Sequence, residues 1–231
     1  MIGTYPTSTP QLLLIEDDPV SRHLVSRVMD RLNRPLDTVA SGPEALDLCR
    51  HQDYDLILMD LHMPEMDGYA TRRHILDILA GNAIPPMLCL TADTRPETRV
   101  RLHQEGFCEC LYKPLDVDQL AASLDRHVPM PASRVQEPVA EPIPPQLRAE
   151  LYTMLLDSLS GEYQRLRQTR DRDELAHIAH TLAGNAAICG VSTLSRAAMK
   201  LEQSLRLGPP GRSQASLDLL LHLIEPLLTP D

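Results

Sequence analysis

Through the first half of the chain, short apolar runs alternate with amphipathic stretches. Gln11–Glu16, Leu36–Ala40, Asp55–Asp60, Met87–Thr91 and Cys108–Tyr112 read as strands. Most of them are near-continuous aliphatic runs, the pattern of strands buried on both faces. Pro19–Leu32, Pro43–His51, Gly68–Ala80, Arg95–Gln104 and Val117–His127 carry apolar residues at helical spacing. Strand followed by helix, five times over, predicts a five-stranded, doubly wound parallel sheet with helices on both faces. The second half has no strand pattern. Its helical stretches are Gln146–Gln168, Arg172–Cys189, Thr193–Leu207 and Gln214–Leu228, punctuated by Gly190 and by Gly208-Pro209-Pro210-Gly211. Four amphipathic helices with short connections predict an antiparallel bundle. Between the halves, residues 129–145 include six prolines, which remove backbone donors and favour an extended linker. The expected class is α/β plus all-α, with an α/β domain at 11–128, a linker at 129–145 and a helical domain at 146–229.

Charge and composition narrow the function. The net charge is −10, which argues against a nucleic-acid partner, as does the lack of a basic recognition helix. Most of the acidity lies before the linker: residues 1–128 hold 12 basic and 20 acidic side chains, net −8. The longest apolar stretch, Leu217–Leu228, contains Asp218, His222 and Glu225 and is too short to span a bilayer. No cationic flank with an apolar run begins the chain, so no signal peptide and no membrane association are expected. Five cysteines without a CxxC pair fit reduced thiols in the cytoplasm.

The polar residues of the first domain gather at strand ends. The first strand ends in Glu16-Asp17-Asp18, the third in Asp60, the fourth in Thr91-Ala92 and the fifth in Lys113-Pro114. In a parallel sheet these ends converge on one crevice. Clustered carboxylates repel unless a cation joins them, and hard oxygen ligands with room for water suit Mg²⁺. A carboxylate beside a metal, a lysine and a hydroxyl can attack phosphorus to give an acyl phosphate. Singly, an Asp at a strand end is a solvated group and Lys-Pro is a turn; all four together make a site.

Residues 11–128 resemble a response-regulator receiver domain, whose fold is flavodoxin-like. The resemblance rests on Glu16-Asp17-Asp18, on the segment from Leu58-Met59-Asp60 to Met66-Asp67-Gly68, on Thr91-Ala92 and on Lys113-Pro114. It implies that Asp60 is the phosphoacceptor, Asp17 a direct Mg²⁺ ligand and Glu16 a ligand through water. The backbone carbonyl of His62 would complete the protein's share of the metal shell. Thr91 and Lys113 would each engage a phosphoryl oxygen, and a cis Lys113–Pro114 peptide is expected. His62 and Asp93 occupy positions that tune water attack on the acyl phosphate, with Asp93 able to orient the water. The aromatic switch common in the family is replaced by Cys110. A haloacid-dehalogenase-like phosphatase would need an acid two residues after its nucleophile, where this chain has His62.

In the second domain, Leu175, Ile178, Ala179, Leu182, Ala186 and Cys189 mark a core stripe. His180 falls roughly 140° from its centre at 100° per residue, which predicts an exposed imidazole. Ala176, Gly184 and Ala187 lie on its side. A solvated histidine or a His177/His180 metal pair are the simpler readings. The run His180-Thr181-Leu182-Ala183-Gly184-Asn185 to Gly190, however, resembles the signature of histidine phosphotransfer (HPt) domains. That implies a phosphoacceptor at His180, with Ala183 where the family usually has lysine. A receiver followed by an HPt domain is similar to the C-terminal part of an unorthodox hybrid sensor histidine kinase, although Met1 favours a free-standing protein. The resemblance implies a two-component phosphorelay intermediate with no kinase activity of its own. Its partners would be a sensor histidine kinase and a downstream receiver domain. The alternative is a scaffold that binds without phosphorylation. A stiff linker of 17 residues, extending to about 50 Å, favours exchange with separate partners over transfer within one chain.

Overall fold

The computed structural model describes residues 10–91, 93, 95–113, 115–129, 144–209 and 213–228. The chain forms two compact units that divide between residues 142 and 143. Most of the expected linker, together with Ala92 and Pro114 and hence the expected cis peptide, lies outside the described residues.

In the first unit, β1 (Leu12–Ile15), β2 (Leu36–Val39), β3 (Leu56–Asp60), β4 (Met87–Thr91) and β5 (Glu109–Tyr112) form one parallel sheet in the order β2-β1-β3-β4-β5. They alternate with α1 (Pro19–Arg31), α2 (Gly42–His51), α3 (Gly68–Ile78), α4 (Pro96–Gln104) and α5 (Val117–His127). The aliphatic runs become β1, β3 and β4, in which every residue is buried. β2 departs from that expectation: Asp37 and Thr38 are exposed because β2 lies at the sheet edge. There Asp37 accepts hydrogen bonds from Tyr54 Oη at 2.9 Å and Gln52 Nε2 at 2.6 Å, satisfying its charge outside the core.

Short polar side chains start the helices where the sequence places them. Asp18 accepts from the Ser21 amide, Ser41 from Glu44, Asp67 from Ala70 and Asp116 from Asp118 and Gln119. Each such cap satisfies an orphan donor and stabilises its helix by about 1 kcal/mol. These caps hold the loops on the carboxyl side of the sheet, where the acidic residues gather.

The loop after β3 folds back on its own origin. The Gly68 amide donates to the Leu61 carbonyl at 3.1 Å, and Glu65 adopts a left-handed φ of 63°. A Cβ at Gly68 would lie 2.5 Å from the Asp60 carbonyl oxygen and 2.9 Å from Leu61 Cα, so only glycine fits.

The second unit contains α6 (Pro145–Gln168), α7 (Arg172–Ile188), α8 (Ser192–Leu207) and α9 (Gln214–Leu228). Leu151, Leu155 and Leu159 of α6, Leu182 of α7, Leu201 of α8 and Leu220 of α9 are fully buried among them. Helix α7 packs against both α6 and α8. Its Ala- and Gly-rich sequence admits close neighbours, and it is buried almost all round.

Candidate phosphoryl-transfer sites

At the carboxyl end of the sheet, Lys113 Nζ joins two carboxylates. It donates to Glu16 at 2.7 and 3.0 Å and to Asp60 Oδ2 at 2.6 Å. All three side chains are buried, with Glu16 fully enclosed. The register produces this meeting: β1 and β3 are direct neighbours, and Lys113 follows β5 with its amide on the Thr91 carbonyl at 2.8 Å. Asp60 Oδ1 accepts from the His62 amide at 2.9 Å. Burial pushes the Glu16 carboxyl well above its usual range, opposed by the adjacent ammonium and reinforced by Asp60. Burial would lower the Lys113 pKa, but Asp60 and Glu16 outweigh it and hold the ammonium charged.

Glu16, Asp17 and Asp60 bring ligand oxygens within 4.8 Å of one another. An oxygen-only, strongly anionic set suits a hard divalent cation such as Mg²⁺. Asp18, the third acid of the run, instead caps α1 through the Ser21 amide at 2.6 Å. Thr91 is buried, and its Oγ1 accepts the Asp93 amide at 3.0 Å.

In the second unit, His180 Nδ1 lies 3.1 Å from Glu202 Oε1 on α8. The same carboxylate oxygen accepts from Arg206 Nε at 2.9 Å.

Residues 12–125 match the response regulator receiver domain family, and residues 150–229 match the Hpt domain family. The chain belongs to both. Its receiver and Hpt domains are those of two-component phosphorelay signalling proteins. Sensor protein GacS of Pseudomonas syringae pv. syringae is 27% identical over 91% of this chain and 26% of its own length. Sensor histidine kinase AruS of Pseudomonas aeruginosa is 30% identical over 88% of this chain and 22% of its own length. Signal transduction histidine-protein kinase BarA of Escherichia coli is 24% identical over 85% of this chain. The chain thus spans about a quarter of the length of these hybrid kinases. Among solved structures, the receiver domain of sensor histidine kinase PA1611 from Pseudomonas aeruginosa, with magnesium in its active-site cleft, is 30% identical. It covers 53% of this chain and 100% of its own, with a TM-score of 0.49. No helix among the described residues is long and apolar enough to cross a membrane.

In the receiver domain, Glu16, Asp17, Asp60 and Lys113 meet as one group, and Thr91 is tied to Lys113 through the backbone. Asp93 is held by residues that follow it. Arg95 grips its carboxylate through two nitrogens, and Thr98 Oγ1 donates to it at 2.7 Å. Although burial opposes ionisation, these donors hold the Asp93 carboxyl well below the usual range. Asp93 therefore organises the start of α4, which has no side-chain cap of its own. Sequence reading also missed Arg22, whose Nη1 donates to the Glu16 and Asp17 carbonyls at 2.5 and 3.1 Å. Its position on the first turn and a half of α1 was the available signal. Cys110 pairs across the β4–β5 register with buried Cys89.

In the Hpt domain, His180 stands on α7, and Glu202 reaches its ring from α8. A Cβ built on Gly184 meets no described atom within 4 Å, so packing within the bundle does not require glycine there.

Proposed function

We propose that this chain is a phosphorelay intermediate with an aspartate station at Asp60 and a histidine station at His180. In this reading residues 11–128 form the receiver, 129–145 the linker and 146–229 the Hpt bundle. The observation that carries the proposal is the buried bridge from Lys113 to Glu16 and Asp60. A lysine held charged beside a strand-end carboxylate is placed to neutralise a phosphoryl group arriving there.

Transfer to Asp60 begins with a partner's phosphohistidine. An Asp60 oxygen bonds to phosphorus as the N–P bond breaks, and that electron pair returns to the imidazole. Lys113 pairs with the phosphoryl charge and the Thr91 hydroxyl donates to a second oxygen. The His62 amide, already on Asp60 Oδ1, orients the nucleophilic carboxylate. Asp17, Asp60, the His62 carbonyl and, through water, Glu16 would hold Mg²⁺. When bound, the ion supplies positive charge to the phosphoryl oxygens. Phosphoryl transfer needs mainly alignment and charge neutralisation, and these residues provide both. His180 then exchanges the group with a receiver aspartate. The partners are a sensor histidine kinase and a downstream receiver, met in the cytoplasm.

The test is labelling by acetyl phosphate with Mg²⁺ present. Wild-type protein should gain one acid-stable acyl phosphate that Asp60→Asn lacks. Mixing Asp60→Asn chains with labelled His180→Gln chains should then give alkali-stable phosphohistidine. Unlabelled wild-type protein would instead favour the phosphorylation-independent scaffold.

A further inference from the structure

Two cysteines stand opposite each other in the receiver sheet. Cys89 of β4 and Cys110 of β5 are register partners, and both pack into the same core cluster, so their side chains leave the sheet on one face. Neighbouring strands lie about 4.8 Å apart, inside the roughly 4.4–6.8 Å of Cα separation that a disulfide spans. Among the described residues no other two cysteines are strand partners. The pair also differs in access. Cys89 is fully buried, whereas Cys110 is half-buried on an edge strand. We propose that Cys89 and Cys110 form a dithiol switch: a peroxide oxidises them to a cross-strand disulfide that slows phosphoryl entry at Asp60. The effect on Asp60 rests on the reading of that residue as the phosphoacceptor; the disulfide does not.

Access divides the roles, and the thiolate is the nucleophile. Cys89 beside it holds the Cys110 thiol below its usual range, against burial and with help from Tyr112 and Arg99. Cys110 and burial push the Cys89 thiol up. The Cys110 sulfur therefore attacks the peroxide. An S–O bond forms as the O–O bond breaks, and the departing hydroxide takes a proton to become water. The Cys89 sulfur then attacks the Cys110 sulfenic acid. The S–S bond forms, the S–O bond breaks, and the second hydroxide leaves as water with the Cys89 proton. Two thiols lose two electrons and two protons, and one hydrogen peroxide becomes two waters. A thiol reductant reverses the change by exchange. In a reducing compartment a disulfide of this kind is transient and redox-sensing.

The backbone carries the change to the strand ends. Cys89 precedes Thr91 by two residues, Cys110 precedes Lys113 by three, and the Lys113 amide donates to the Thr91 carbonyl at 2.8 Å. Closing the disulfide draws the two Cβ atoms to about 3.8 Å, about 1 Å nearer than the strand spacing. A misplacement of about 1 Å can cost about 100-fold where a reaction depends on alignment. The strands absorb part of the shift before Thr91 and Lys113, so the expected slowing is about tenfold.

The experiment uses full-length chains. Reduced protein is treated with hydrogen peroxide, free thiols are blocked with N-ethylmaleimide, and intact mass and peptide mapping report the bonds formed. Labelling of Asp60 by acetyl phosphate with Mg²⁺ is timed before oxidation, after it, and after dithiothreitol. Wild-type protein should lose two hydrogens, yield a linked Cys89–Cys110 peptide, label about tenfold more slowly and recover with dithiothreitol. Cys110→Ser should form no disulfide at Cys89 within the chain and label at one rate in all three states. Cys89→Ala, its fold checked by circular dichroism, should hold Cys110 as a sulfenic acid that dimedone traps. If Cys89→Ala unfolds, Cys110→Ser decides alone. No linked peptide in wild-type protein overturns the proposal, as does a linked peptide with unchanged labelling. Equal slowing in Cys110→Ser overturns it too, since the damage then lies elsewhere. Reduced wild-type protein that takes no label overturns the reading of Asp60 and the effect proposed on it, while the linked peptide still decides the oxidation.

Discussion

Replacing Lys113 by Met removes the cation between two buried carboxylates while keeping most of the side-chain volume. Lys113 Nζ lies 2.7 Å from Glu16 and 2.6 Å from Asp60. At an effective dielectric of about 20, each contact is worth roughly 6 kcal/mol of Coulomb attraction. The loss will be smaller, because one carboxyl can take up a proton instead. Near pH 7 that costs an ordinary glutamate about 4 kcal/mol, at about 1.4 kcal/mol per pH unit. The expected destabilisation is therefore about 4 kcal/mol, within the range for breaking a buried ion pair from one side. Its pH dependence has a definite sign. Glu16 already has a raised folded-state pKa, so stability returns as pH falls. At about pH 5 the protonation cost is only about 1 kcal/mol, and the deficit should shrink accordingly. Native-state hydrogen exchange at the Ile57, Leu58 and Met59 amides, with EDTA present, reads the opening free energy of the central strand. A deficit below about 1 kcal/mol near pH 7, or one independent of pH, would refute this account of the cluster.

Three further outcomes are expected. Asp17→Asn should leave the fold intact but abolish Mg²⁺-dependent labelling by acetyl phosphate; normal labelling would remove Asp17 from the metal set. Gly184→Gln should keep the bundle's helicity, since no described atom meets its Cβ, while blocking transfer between chains; full transfer would show that no partner approaches there. Asp93→Ala should destabilise the start of α4 by about 1 kcal/mol through loss of the hydrogen bonds from Arg95 and Thr98, read by exchange at the Arg99 and Val100 amides. Because the Asp93 pKa is depressed, that contribution is present above the unfolded pKa of about 4 and fades as pH falls toward the folded value.

The strand-ending chemistry was readable because a parallel sheet leaves few alternatives: Glu16, Asp60 and Lys113 had to converge once their strands were placed. Apolar runs located β1, β3 and β4 closely because burial on both faces leaves an unbroken aliphatic pattern. β2 was found too, but its exposed Asp37 depends on strand order, which no local pattern encodes. The tertiary partners of single side chains were less accessible. A helical wheel cannot pair His180 with Glu202, 22 residues later on another helix. Asp93 was legible as a residue near the site, but its capture depended on the chain turning so that Arg95 and Thr98 face it.

The closed loop between Asp60 and Gly68 has a consequence for how this gene can drift. Its two ends are fastened to each other by the Gly68–Leu61 hydrogen bond and by backbone contact too close for a Cβ. Within the loop Leu61 and Met63 are buried and Asp67 caps α3, so only its exposed positions, Pro64 and Glu65, have room to change while the ring stays shut. An inserted or deleted codon has no such freedom. It would open the ring, shift the start of α3 and pull the His62 amide away from Asp60. Among descendants of this sequence, the region should therefore keep its length, whereas the α3–β4 connection, at the other end of the sheet from the acidic cluster, can lengthen.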